Sequence, residues 1–298
     1  MEIVHAGPVT TMGRWSRVGA FVALTKPRII ELLLITTVPS MVVAVDRWPG
    51  FDLVLHALVG GSLSAGGANA LNNYYDRDVD EIMRRTGLRP LPQHRISPRS
   101  ALIFGWVLGV LGFVWLWLFT NLTAALLATG ALLFYVFVYT KVLKRITVEN
   151  IVIGGAAGAA PVLVGWAAAA GGVGISAWML FAIVFIWTPP HFWALALRFK
   201  DDYAAAGIPM LPVVKGVAVT TRRIALYTGL LVVASLMLVP LAGMGWIYLL
   251  TAIVIGAMFV IQAIRLIFDP ERAMKVFAFS TAYLAILFGA MLVDRLVF

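Results

Sequence analysis

Asn72, Asp76 and Asp80 stand at i, i+4 and i+8 near the end of an apolar run. At about 100° per residue these positions drift only about 80° around a helix, so they share one face, and Asp78 falls on the other. Three oxygen-bearing side chains on one stripe suit a hard cation, which takes one or two carboxylates and fills its octahedron with water and phosphate oxygens. Magnesium diphosphate is the natural ligand of such a stripe. Just downstream, Arg84, Arg85, Arg89 and Arg95 add guanidinium forks that match phosphate oxygens two at a time. The plainer alternative is an acidic helix end that pairs with Arg77, Arg84 and Arg85 and binds nothing.

The elements that position this stripe do not belong to a soluble globule. Of 298 residues 61% are hydrophobic and 12% charged, against about 25% charged in an ordinary soluble domain. Soluble-enzyme, disordered and nucleic-acid-binding classes are excluded together, and an integral membrane protein remains. Cysteine is absent, which removes disulfides and thiol chemistry. Apolar runs long enough to cross roughly 30 Å as helices lie near 29–45, 53–74, 101–119, 122–139, 151–170, 177–197, 224–241, 246–264 and 276–293. The expected fold is therefore an all-α polytopic membrane protein with nine transmembrane helices around a central cavity. It forms one membrane domain over 1–298, with 1–28 as a cytoplasmic N-terminal segment and 29–298 as the nine-helix body. Pro27 interrupts the first run and no small-residue cleavage site follows, so no removable signal peptide is expected.

Of the 23 basic residues, all but Arg47 and Arg295 fall in the N-terminal segment or in the loops after the second, fourth, sixth and eighth runs. The positive-inside bias then places the N-terminus and those loops in the cytoplasm and the C-terminus on the opposite side. The same loops hold Asp76, Asp78, Asp80, Glu81, Glu149, Asp201 and Asp202, for which the orienting rule has no use. The Gly-rich stretches at 60–61, 66–67, 154–155 and 171–172 read as close helix packing.

Inside the sixth run, His191 follows Thr188-Pro189-Pro190. Two successive prolines delete two backbone donors and disfavour a regular helix. Irregular backbone at that depth is tolerated only against protein or a wet cavity, so His191 is expected to face an internal cavity. His5 lies in the N-terminal tail, His56 near a run's outer end and His94 in a loop, which leaves His191 as the one intramembrane histidine. It either bonds a freed carbonyl or serves as a ligand or acid-base group.

Asn72-Asn73-Tyr74-Tyr75-Asp76-Arg77-Asp78-Val79-Asp80, with Arg85-Thr86 and Arg89-Pro90-Leu91, resembles the first signature of the UbiA superfamily of intramembrane prenyltransferases. The resemblance runs from Lys26-Pro27-Arg28 to Gly216 and includes Tyr139-Thr140 and Lys144-Arg145-Ile146-Thr147. The stretch from Trp187-Thr188-Pro189-Pro190-His191 through Asp201-Asp202-Tyr203 to Pro212 is similar to the heme-farnesylating branch. The resemblance implies Asn72, Asp76 and Asp80 as the first magnesium-diphosphate site, Lys144 and Arg145 as the basic pair on the diphosphate, and Asp201 and Asp202 as the second acidic, metal-binding site. Arg85 and Arg89 join the diphosphate-binding set. Many relatives space two aspartates four apart in the second site, whereas Leu197 and Arg198 stand four residues before Asp201 and Asp202 here. Arg198 and Lys200 are then the residues to compensate charge.

The implied activity is transfer of a farnesyl group from farnesyl diphosphate to a vinyl group of heme b with addition of water, giving heme O. Magnesium is the cofactor, heme b a substrate, and His191 the heme-binding residue. Asp76, Asp80, Lys144, His191, Asp201 and Asp202 are the catalytic candidates. Expected partners are the lipid bilayer and heme A synthase or a terminal oxidase, with no nucleic acid. The residues alone leave open another prenyl acceptor (an aromatic acid, a quinone precursor or a chlorin), a secondary transporter and an oxidase assembly factor.

Overall fold

The computed structural model describes residues 14–298. His5 and the first part of the expected cytoplasmic segment lie outside the described residues. The regular structure of the described chain is helical: α1 (Arg14–Thr25), α2 (Pro27–Val45), α3 (Phe51–Tyr75), α4 (Arg77–Ile82), α5 (Pro98–Phe119) and α6 (Leu122–Leu133). A π-helical segment, Phe134–Leu143, continues α6 into the short α7 (Lys144–Ile146). There follow α8 (Asn150–Ala170), α9 (Ile175–Arg198), α10 (Lys200–Ala205), α11 (Leu211–Val214), α12 (Gly216–Ala242), α13 (Trp246–Phe268) and, after one 3₁₀ turn, α14 (Ala273–Val297).

Eight helices among the described residues are long and apolar enough to cross a membrane. The first of the nine expected spans is the helix α2, whose described apolar part is Ile35–Val45. Neighbours pack in chain order, and α2 also packs against α8 and α14, and α9 against α14, which closes the spans into one bundle. With lipid outside, little hydrophobic force drives helix on helix, so small residues that let backbones approach hold the bundle. A Cβ on Gly67 of α3 would come within 2.7 Å of the Gly105 carbonyl of α5.

The structure adds a helix within the N-terminal segment and changes one expectation. Residues 14–25 form a helix docked on the bundle: Ala20 and Leu24 are buried with Ala70, Leu91, Ile96 and Ala101, and Phe21 meets Phe104 edge-on at 4.9 Å. The expected irregularity at Pro189-Pro190 is absent, because α9 runs unbroken from Ile175 to Arg198 with both prolines inside it. Neighbouring helices stabilise a helix that has lost donors, and α9 is clasped by α8, α12 and α14.

Candidate active site

Three asparagines on the last turns of α3 build the floor of the charged end. Asn69 donates to the Thr25 carbonyl at 2.8 Å and Asn73 to the Leu24 carbonyl at 3.0 Å, so α3 side chains satisfy the orphan C-terminal carbonyls of α1. The chain must then reverse into Pro27, and the residue before a proline avoids the right-handed helical region. Lys26 adopts a left-handed conformation, φ 54°, a strained state for a non-glycine residue that persists where neighbours over-determine it. Its ammonium reaches Asn72 Oδ1 at 2.7 Å. Burial first, and Arg89 second, push Lys26 well below the ordinary lysine range.

Asn72 passes the contact on. Its Nδ2 donates to Asp76 Oδ2 at 2.8 Å and to Thr140 Oγ1 at 3.0 Å, while Lys144 donates to the same Asp76 oxygen at 2.6 Å. Asp80 accepts from Arg89 through both carboxylate oxygens, at 2.9 and 2.7 Å. The α3 helix ends at Tyr75, but Asp76 N bonds the Asn72 carbonyl and Asp80 N the Asp76 carbonyl, so the i, i+4, i+8 stripe survives into α4. Both carboxylates are 1% exposed, well inside the protein and not on a wet rim. The alternative partners of the acidic stripe do not engage it: Arg77 bonds the Tyr74 carbonyl and lies over its ring at 4.6 Å.

Asp76 Oδ1 is buried and has no hydrogen-bond partner. A buried carboxylate oxygen left bare is costly and is what a cation would satisfy. Among the described residues no three acidic or histidine side chains converge to hold a metal alone, which agrees with an ion that binds through one or two carboxylates and substrate phosphate. The oxygen donors present therefore fit magnesium.

The wall opposite is the π-helical segment. Its wider turn lets Thr140 Oγ1 donate to the Tyr135 carbonyl at 2.8 Å and stacks Tyr135 on Tyr139, centroids 5.4 Å apart. Gly154 of α8 makes room, since a Cβ there would sit 2.3 Å from the Tyr139 ring. Such π segments recur at functional sites, and composition gives no warning of one.

Arg145 turns away from the cluster. It pairs with Asp78 through two bonds of 2.8 Å and donates to the Tyr75 carbonyl, in a partly exposed position. Its guanidinium holds the Asp78 carboxyl below the usual carboxylate range. Arg85 ties the loop after α4 to α10: its backbone N–H donates to Asp202 Oδ2 at 3.3 Å and its guanidinium to the Tyr203 hydroxyl at 3.4 Å. Asp201 and Arg198 are exposed and Lys200 partly so. Among the described residues these three form no ion pair.

His191 stands apart, at the α9–α14 contact. Trp187 and Phe277 both stack on its ring with centroids at 4.3 Å, so the imidazole is packed among aromatic side chains and mostly buried. Its Nδ1 lies 2.7 Å from Ser280 Oγ, whose single hydrogen is committed to the Phe277 carbonyl at 2.6 Å. With that hydrogen on the Phe277 carbonyl, Ser280 accepts from Nδ1–H and Nε2 carries the ring's lone pair.

Sequence reasoning missed Lys26 as part of the site, together with Asn69 and Asn73 that seat it. The signal available was a basic residue immediately before proline, which cannot be mid-helix.

A bundle of membrane helices that buries two carboxylates against half-buried lysines and an arginine at one end is the site of an intramembrane enzyme. The chain belongs to the UbiA prenyltransferase family, whose model matches residues 33–290. It is 53% identical to the protoheme IX farnesyltransferase of Frankia alni over 287 residues, covering 95% of this chain and 99% of that protein. The fold is that of a UbiA homolog from Aeropyrum pernix, with a TM-score of 0.71 at 22% identity over 90% of this chain and 99% of the other. It is likewise that of a UbiA homolog from Archaeoglobus fulgidus bound to GPP and Mg2+, with a TM-score of 0.65 at 15% identity over 91% and 99%.

Proposed function

We propose that this membrane enzyme is a protoheme IX farnesyltransferase, which joins the farnesyl group of farnesyl diphosphate to a vinyl group of heme b with addition of water to give heme O. The observation that carries the reading is the near-full-length identity, about one residue in two, to proteins of that name. The C–O bond to diphosphate breaks and the diphosphate leaves with the electron pair. The vinyl group attacks the allylic carbon, and the cation left beside the porphyrin takes water and releases a proton.

Asp76 and Asp80 are the residues that would hold magnesium, with Asp201 and Asp202 as the second acidic group across the Arg85 bridge. Magnesium would supply neutralisation of the charge growing on the departing diphosphate. Lys144 and Arg89, held beside these carboxylates, would meet the phosphate oxygens, and fixed cations in a water-poor site stabilise a leaving group strongly. Arg85 supports the diphosphate from the loop, and Arg145, Arg198 and Lys200 lie at its outer edge. His191 presents Nε2 for the heme. The farnesyl chain lies in a lipid-facing apolar groove, of which one between α6, α8 and α9 ends at Phe134, next to Tyr135. Closure of the loop between Glu81 and Ser100 would keep water out until the carbon–carbon bond forms.

The test is to incubate the purified protein with heme b, farnesyl diphosphate and magnesium and weigh the porphyrin by mass spectrometry. A hydroxyethylfarnesyl adduct that disappears with chelator is expected; prenylation of another acceptor alone would overturn the heme assignment. The active-site end faces the cytoplasm, with the C-terminus opposite, and the product is passed to a heme A synthase or a terminal oxidase. Cysteines placed at Ser97 and Gly174 should label from opposite sides with an impermeant reagent, and same-sided labelling would overturn the topology.

A further inference from the structure

The hydrogen-bond directions from Lys26 to Asp76 are fully determined. The Asp76 carboxylate only accepts, so the Asn72 amide must present its nitrogen there. Thr140 spends its hydrogen on the Tyr135 carbonyl and can only accept from the same Asn72 nitrogen. Both amide hydrogens are then used, and Asn72 Oδ1 is held by the Lys26 ammonium. With Lys144 on the same Asp76 oxygen, Oδ2 is saturated and Oδ1 is bare. The backbone that aims Lys26 is itself clamped by Asn69 and Asn73.

We propose that Lys26 is a positioning residue: it locks the Asn72 amide as a donor to Asp76, so that Asp76 Oδ1 is the oxygen presented to metal and Asn72 stays outside the ligand set. This rests on the prenyltransferase reading above for its substrate, but its test does not need turnover. The reassignment matters because the spacing of Asn72, Asp76 and Asp80 alone would count all three as ligands.

The experiment titrates Mn2+ in the presence of inorganic diphosphate by electron paramagnetic resonance, on folded wild type, Lys26→Met, Asn72→Ala, the double variant, Lys26→Arg and Asn72→Asp. Losing a residue that orients a ligand typically costs about 10–100-fold in metal affinity. Lys26→Met and Asn72→Ala should each weaken Mn2+ to that extent. The double variant should be no weaker than Asn72→Ala, because both act through one amide, and Lys26→Arg should restore most of the loss. Additive losses in the double variant would overturn the proposal. Should Lys26→Met fail to fold, Asn72→Asp decides alone: a true ligand position would gain a carboxylate and bind Mn2+ more tightly, whereas an amide donor replaced by a second anion beside Asp76 should bind it more weakly. Intact Mn2+ behaviour in a wild type that makes no heme adduct would count against the proposed function and leave this inference standing.

Discussion

Asp76 and Asp294 are both 1% exposed carboxylates near helix ends of one bundle, and they sit at its opposite ends. Asp294, on the last turns of α14, accepts from the Gly245 N–H at 2.5 Å and the Tyr248 N–H at 3.1 Å. It thereby caps the N-terminus of α13, whose own cap position is a glycine with no side chain to offer. Both oxygens are satisfied by backbone, and the helix dipole favours the charge. Asp76 meets only side chains, Asn72 and Lys144, on one oxygen and nothing on the other. A carboxylate closed off by backbone donors holds architecture together. One held by side chains and left with a bare oxygen is poised to exchange partners.

The largest effect expected from that contrast is on turnover. Asp76→Asn should lower farnesyl transfer by about 100-fold or more, the scale of losing a charge-stabilising group in a dry site, and Asp80→Asn should do likewise. Because both carboxylates are buried against cations, each change also strands a charge, which costs about 3–5 kcal/mol. Pairing Asp76→Asn with Lys144→Met should recover the thermal stability and none of the activity. Recovery of activity in the pair would place Asp76 with Asp294, as structure alone.

His191 is intermediate: Nδ1 is closed off by Ser280 and Nε2 is open. His191→Ala should reduce heme affinity or transfer to heme by about 10–100-fold, the range for a general acid-base or ligand-orienting group, and leave farnesyl diphosphate binding intact. If Nε2 ligates iron, the absorption spectrum of bound heme shifts in His191→Ala, and more weakly in Ser280→Ala, which frees the tautomer. Unchanged spectra with unchanged turnover would make the histidine a packing residue.

Asp294→Ala should act on stability only. It removes a cap and leaves the buried Tyr248 N–H and the half-buried Gly245 N–H bare, a loss of about 1–3 kcal/mol, read as a lower unfolding midpoint in detergent with unchanged activity per folded molecule. Lost activity in a fully folded sample would erase the distinction between the two ends.

The helical spans were legible because a lipid solvent forces each crossing to be an apolar run of about 20 residues, and each later run coincides with a helix. The acidic stripe was legible because helical spacing survives the break at Asp76. What was hidden depends on contacts distant in sequence. Lys26 joins Asn72 across 46 positions, and Lys144 joins Asp76 across 68. Within the π-helical segment Tyr139 lies against Gly154 of α8, a contact that no local propensity reveals. Pro189-Pro190 misled for a related reason: neighbouring helices hold α9 straight where proline chemistry alone predicts a break.

The smallest effect belongs to Arg145 and Asp78, the ion pair at the outer edge of the same charged end. The pair is partly exposed, 35% and 60% at the side chains, and such pairs contribute about 0–1 kcal/mol. The sign of its pH dependence follows from Asp78, whose carboxyl is held below its ordinary 3.8 chiefly by the hydrogen bond from Arg145. A carboxyl depressed in the folded state stabilises above its unfolded value, and that contribution is lost as pH falls through the lower folded value. The difference in unfolding midpoint between wild type and Asp78→Asn should therefore be constant from pH 7 to about pH 5, then vanish as pH drops below the ordinary carboxylate range, and shrink in high salt. In the same assay series Arg145→Ala should raise the farnesyl diphosphate requirement less than Lys144→Ala does, with heme affinity unchanged in both. An equal or larger effect of Arg145→Ala would mean that its guanidinium leaves Asp78 for the diphosphate, and that the catalytic cluster extends to the exposed face of α4.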